Sequence, residues 1–143
     1  IARDVASRFI YNKPAILHLR FLPGIDGEKM SKSKNNAIFL GDSESEIRKK
    51  IGKAFSGGQK TTEEHRKKGG NPDIDVSCIY LKYLFLTEEE SKKLFDDYRN
   101  GKILTSDVKK MFIDKTLNFV KKFQSNFKKI KDEYVKDRIL KNQ

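Results

Sequence analysis

What most constrains this chain is a series of helix-start signals separated by glycine stops. Ser43 with Glu46, Thr61 with Glu64, and Thr87 with Glu90 each set a hydroxyl three residues ahead of a glutamate. At that spacing the two side chains can satisfy backbone N–H groups left unpaired at a helix start. Gly57-Gly58, Gly69-Gly70 and Gly101 come at helix-length intervals, where glycine lets the chain leave the helix. From about residue 43 the chain is therefore expected to be mainly α. Ile47, Ile51 and Phe55 would share one face of the first helix, which Gly57-Gly58 would stop. Val76, Ile79, Tyr80, Tyr83 and Leu84 form a broad apolar stripe on a later one, and Leu94, Phe95 and Tyr98 a third. The longest segment, capped by Ser106, repeats Phe112, Phe119, Phe123, Phe127, Ile130 and Tyr134 at steps of three, four or seven. All of these are expected to be core positions.

Residues 1–42 read differently. A short, partly helical lead-in stops at Pro14. Ala15 to Leu22 then alternates Leu17, Leu19 and Phe21 against His18 and Arg20, which predicts a strand ended by Pro23-Gly24. A polar loop with almost no aliphatic content comes next: Gly24-Ile25-Asp26-Gly27-Glu28, then Lys29-Met30-Ser31-Lys32-Ser33, then Lys34-Asn35-Asn36. Ammonium groups act as point charges on phosphate oxygens and hydroxyls donate to them, so such a loop suits a polyanion. Its place after a strand end is where open α/β sheets put their ligand crevices. It is not a P-loop, because the glycine spacing is wrong and Glu28 intervenes before Lys29. Ala37-Ile38-Phe39-Leu40 would pin its far side.

Charge and rare residues narrow the chemistry. The net charge of +11 makes an acidic partner the expectation, with nucleic acid first and a membrane surface second. Residues 71–101 are net acidic while both flanks are basic, which argues for two basic regions on a folded body. On the last segment Lys109, Lys110, Lys115, Lys121, Lys122, Lys128, Lys129 and Lys131 lie off the apolar stripe, either as a solvated face or as a phosphate-contact surface. One cysteine, Cys78, excludes an internal disulfide and a cysteine zinc site, and is expected to be a small buried side chain. With His18 and His65 it is too isolated for a metal centre, so no metal ligand is assigned. Asp73 and Asp75 hint at a calcium loop, but Val76 stands where its glycine belongs and Lys82 where its glutamate belongs. A helix start, where the macrodipole favours carboxylates, is the better account. No apolar run is long enough for a membrane span. The absence of an initiator Met before Ile1 suggests a piece of a longer protein.

The loop Lys29-Met30-Ser31-Lys32-Ser33 matches the signature loop of class I aminoacyl-tRNA synthetases. The order of elements resembles the C-terminal half of the eukaryotic-type tryptophanyl-tRNA synthetase family. The resemblance is carried by Lys13-Pro14-Ala15, Ile38-Phe39-Leu40, Ala54-Phe55-Ser56-Gly57-Gly58, Glu63-Glu64-His65-Arg66, and Gly69-Gly70-Asn71 with Asp73, Asp75, Val76 and Ser77. It implies the end of a Rossmann-type α/β catalytic domain over residues 1–41 and an α-helical anticodon-binding domain over 42–143. It also implies a cytoplasmic, homodimeric parent that uses ATP and Mg2+ to activate tryptophan and esterify it to tRNA-Trp. Lys29, Met30, Ser31, Lys32 and Ser33 would bind ATP, with Lys32 and Lys29 as catalytic cations and Gly24 and Gly27 as hinges. Gln59, Lys60, Lys121, Lys122, Lys128 and Lys129 are the candidate tRNA contacts. Lys32 stands where many eukaryotic relatives carry Ala, and Gln59-Lys60 where an acidic residue is common. The family's His-containing motif and its tryptophan pocket are absent, so tryptophan would reach the site through the missing N-terminal half. This chain alone is expected to be inactive. A tyrosyl-tRNA synthetase fragment and a non-catalytic basic RNA-binding module are the alternatives.

Overall fold

The computed structural model describes residues 2–9, 12, 14–17 and 21–130. Six α-helices are described: α1 Ala2–Arg8, α2 Glu44–Gly52, α3 Thr62–Lys68, α4 Val76–Tyr80, α5 Glu88–Arg99 and α6 Thr105–Phe127. A π-helical turn, Leu81–Phe85, continues α4. No strand occurs among the described residues. His18, Leu19 and Arg20 of the expected strand lie outside them, and Ala15, Ile16, Leu17, Phe21 and Leu22 are not in a ladder. The β-type pairing described is a single antiparallel bridge between Pro23 and Lys29.

The start signals act as the sequence predicts, with different degrees of completeness. The Ser43–Glu46 and Thr87–Glu90 capping boxes close in both directions, at 2.8 Å from each cap N–H to the glutamate and 3.3 Å in return. Thr61 closes one half, accepting from Glu64 N–H. The first residue of α6 is Thr105, so Ser106 is not its cap; Asp107 Oδ2 instead accepts from Leu104 N–H.

α2, α4, the π turn, α5 and α6 enclose one core, in which Ile47, Ile51, Val76, Leu81, Tyr98, Val108 and Phe112 are the deepest apolar side chains. Fully burying a residue of this size is worth roughly 1.5–3 kcal/mol. Ile25 belongs to the same core, with Leu22 and Ile38 packed against it, so the polar loop grows directly out of the helical body.

Three expected faces are re-aimed. α2 ends at Gly52, and Phe55 lies beyond it on an extended segment, half exposed. The π turn, marked by Leu86 N–H donating to Leu81 O, adds a residue to the turn and rotates the side chains beyond it. Leu81 and Phe85 therefore face inward while Tyr83 and Leu84 point out. On α6 the buried residues are Val108, Phe112, Thr116, Leu117 and Val120, whereas Phe119, Phe123, Phe127 and Ile130 are exposed. The apolar stripe thus outlasts the body that could cover it, and Tyr134 and Lys131 lie outside the described residues. Of the Ala37–Leu40 anchor, Ala37 is buried and Ile38 packs on the core, but Phe39 and Leu40 are exposed. Cys78 is fully buried, and that burial pushes its thiol pKa up. No helix among the described residues is long and apolar enough to cross a membrane.

Candidate functional site

The polar loop is a closed structure held at both ends. At its base Ile25 N–H donates to Asn36 O at 2.7 Å and Gly24 N–H to Glu28 O at 2.6 Å. The helical body grips that base: Tyr80 Oη–H donates to Pro23 O at 2.7 Å, and Phe55 N–H to Ile25 O at 2.8 Å. Gly27 turns the chain at φ +84°, a conformation that suits glycine. Gly24 is bare for a packing reason. A Cβ there would lie 2.4 Å from Asn36 Nδ2, so its bareness admits the Asn36 side chain.

Asn36 is the buried polar centre of the loop, at 5 % exposure. Its Nδ2 donates to both Asp26 carboxylate oxygens at 2.9 Å and to Lys29 O at 3.1 Å. Its Oδ1 accepts from Ser31 N–H at 2.8 Å. Asp26 in turn accepts from Glu28 N–H, and this bond, then that from Asn36, holds its carboxyl below the ordinary pKa of 3.8. Sequence reasoning gave Asn36 and Asp26 no role, because one asparagine in a polar run carries no sign of the partners it will meet.

The five residues expected to bind ATP are contiguous along the outer limb of this loop. Ser31 Oγ and Ser33 Oγ lie 2.8 Å apart. Lys34 is committed to Glu28, whose carboxylate raises the lysine's pKa. Lys29 and Lys32 are exposed, and neither has an ion-pair partner among the described residues. Two ammonium groups, and one hydroxyl of the mutually bonded Ser31–Ser33 pair, are thus left to donate to an external anion. Among the described residues no group of three or more His, Cys, Asp or Glu side chains could hold a metal ion. The loop's donors suit phosphate oxygens rather than a magnesium ion.

The expected tRNA contacts do not form one patch. Gln59 and Lys60 come after Gly58, which approaches the start of α6 so closely that a Cβ on it would lie 2.2 Å from Thr105 Oγ1. Lys121 comes sixteen residues after Thr105, about 24 Å along the helix at 1.5 Å per residue. Lys121 is also paired with Glu44 at 2.7 Å. Lys60, Lys122, Lys128 and Lys129 are exposed and have no ion-pair partner among the described residues, while Gln59 Nε2 is tied back to Gly69 O at 2.9 Å.

The turn carrying Gln59 and Lys60 rests on a buried network that the sequence did not reveal. Asp75, fully buried, caps α4 by accepting from Cys78 N–H, and also accepts from Gly57 N–H at 3.0 Å and Tyr98 Oη–H at 2.8 Å. Thr105 Oγ1 lies 2.8 Å from Tyr98 Oη and 3.2 Å from Ser56 Oγ. His65, packed edge-on against Tyr98, points Nε2 at Ile103 O and accepts Gln59 N–H at Nδ1. With a carbonyl on one side and an N–H on the other, the ring is satisfied as the Nε2–H tautomer.

Three comparisons bear on this arrangement. The profile of tRNA synthetases class I (W and Y) matches residues 1–121. The cytoplasmic tryptophan–tRNA ligase of Saccharomyces cerevisiae is 42% identical over 137 residues, covering 93% of this chain and 32% of that protein. The structure of Giardia lamblia tryptophanyl-tRNA synthetase superposes with a TM-score of 0.86 at 38% identity, covering 98% of this chain and 36% of the other. A tyrosyl-tRNA synthetase structure from Archaeoglobus fulgidus is more distant, at 25% identity and a TM-score of 0.63 over 82% of this chain and 39% of the other. The chain spans about a third of the length of the tryptophan enzymes it matches.

Proposed function

We propose that this chain, which belongs to the class I tRNA synthetases of the W and Y type, supplies the ATP-phosphate loop and the tRNA-binding helices of a cytoplasmic, homodimeric tryptophan–tRNA ligase. The observation that carries this reading is the likeness to tryptophan–tRNA ligases along nearly the whole chain, phosphate loop included. The greater distance of the tyrosine enzyme favours tryptophan over tyrosine as the amino acid.

In this reading the residues act on charge that develops during amino-acid activation. A substrate carboxylate attacks the α-phosphorus of ATP and the bond to the bridging oxygen breaks, so negative charge accumulates on departing pyrophosphate. Cations that engage that charge more strongly in the transition state than in the ground state lower the barrier. Among the described residues Lys32 and Lys29 are the loop's cations with no competing carboxylate; the Ser31–Ser33 hydroxyl pair would donate to the phosphates, and the backbone at Met30 would lie toward the adenosine. Magnesium would arrive with the nucleotide rather than on protein ligands. The exposed lysines near Lys60 and on the end of α6 would contact tRNA-Trp phosphates, which position the nucleic acid without reading its sequence.

The test is a graft. This chain replaces the matching third of the Saccharomyces cerevisiae enzyme, and charging of tRNA-Trp with labelled tryptophan is measured. Charging is expected, with a loss of at least about tenfold in ATP–pyrophosphate exchange for Lys29→Ala, the scale of one lost transition-state contact to a charged group. A graft that folds and binds ATP yet charges no tRNA-Trp would contradict the reading.

A further inference from the structure

We infer that Asn36 is the positioning residue of the phosphate loop, presetting the backbone on either side of Met30 so that Lys29 and Ser31–Lys32 face one polyphosphate. The assignment rests on the function proposed above. Within the motif the backbone is clamped at two points: Lys29 O receives Asn36 Nδ2–H, and Ser31 N–H is received by Asn36 Oδ1. These two bonds bracket a single residue. They fix the direction in which the chain leaves Lys29 and enters Ser31–Lys32, while leaving both ammonium groups in solvent.

The chemistry of the clamp is specific to an amide. One end must accept from an N–H, and the other must donate to a carboxylate and a carbonyl at once. Aspartate has the same shape but no donor at that end. It would set its charge against Asp26 and against the Lys29 carbonyl oxygen. Asn36 is also anchored by its own backbone, whose carbonyl accepts from Ile25 N–H at the edge of the core. The clamp therefore ties the exposed motif to the buried body. Preorganisation of this kind shows up as affinity for the bound anion, because less ordering remains to be done on binding.

The experiment uses the 143-residue chain and sodium tripolyphosphate, monitored by amide resonances of residues 29–33 and by hydrogen exchange at Ser31. Wild type is expected to bind tripolyphosphate through this loop and to protect Ser31 N–H. N36D is expected to weaken binding by about tenfold or more and to lower Ser31 protection by a similar factor, the scale set by losing bonds to a charged group. Amides of Ile51 and Val76 in the body should stay unchanged. The double variant D26N/N36D restores a donor–acceptor pair across the clamp and should recover part of the loss. Gly24→Ala, whose methyl would enter the space of Asn36 Nδ2, should weaken binding without altering any polar group.

If wild type shows no tripolyphosphate binding at the loop, the phosphate-loop reading falls and this assignment with it. If wild type binds and N36D binds equally well, the assignment of Asn36 alone is overturned. The same holds if D26N restores nothing to N36D.

Discussion

Replacing Tyr98 by Phe removes one oxygen from the centre of the helical body and leaves its packing in place. That oxygen donates to Asp75 Oδ2 at 2.8 Å and lies 2.8 Å from Thr105 Oγ1. The ring's edge-on contact with His65 survives the change. Asp75 is fully buried and keeps two backbone donors, Gly57 N–H and Cys78 N–H, after the phenol is lost. A hydrogen bond to a charged group contributes about 1.5–3 kcal/mol, and the Thr105 hydroxyl can turn to Ser56 to recover its own partner, so the net loss is set at about 2 kcal/mol. For a chain of this length that lowers Tm by roughly 4–8 °C. The assay is urea unfolding, where the midpoint should fall with the slope unchanged. A double-mutant cycle with Asp75→Asn should show coupling of about 1 kcal/mol or more. A Tyr98→Phe loss below about 0.5 kcal/mol, with no coupling, would refute the idea that this network holds the Gly57–Lys60 turn.

Other consequences come from the same geometry. Gly69 sits at φ +70° with a Cβ position 1.7 Å from Arg99 O, so Gly69→Ala should cost about 3 kcal/mol or more, seen as loss of soluble folded protein or a large fall in Tm. Cys78 should react with a thiol reagent only after unfolding, because it is fully buried with its pKa pushed up. Asp26 has a depressed pKa in the folded chain, so its contribution is present above the ordinary value of 3.8 and is lost as pH falls through the lower folded value. Ser31 amide protection, corrected for intrinsic exchange, should therefore hold from pH 7 to 5 and decline only below about 3.8; a decline near pH 6 would contradict this.

Much of the helical body was legible because its signals are local. A serine or threonine three residues before a glutamate acts within one turn, and the Ser43, Thr61 and Thr87 starts all appear where that spacing puts them. The misreadings have separate causes, none of which periodicity alone records. Tyr83 and Leu84 fall outside the core because of one π turn, and Phe119, Phe123 and Phe127 because the body ends before α6 does. Ser106 lies inside α6 rather than at its cap, because the helix already begins at Thr105. At the candidate site the Lys29–Ser33 motif was visible as a motif, but its support was not. Asn36 meets Asp26 across ten residues and Tyr98 meets Asp75 across twenty-three, and neither separation has a repeat or a spacing to betray it.

Under the proposed function the chain should prefer tRNA-Trp over other tRNAs. That preference is tested most directly by filter-binding titration of the 143-residue chain with tRNA-Trp and a non-cognate tRNA over a range of salt. tRNA-Trp is expected to bind more tightly, and the preference to persist at moderate salt. Equal affinities that collapse together as salt rises would contradict it, since a net charge of +11 meeting phosphates would then be the whole of the interaction.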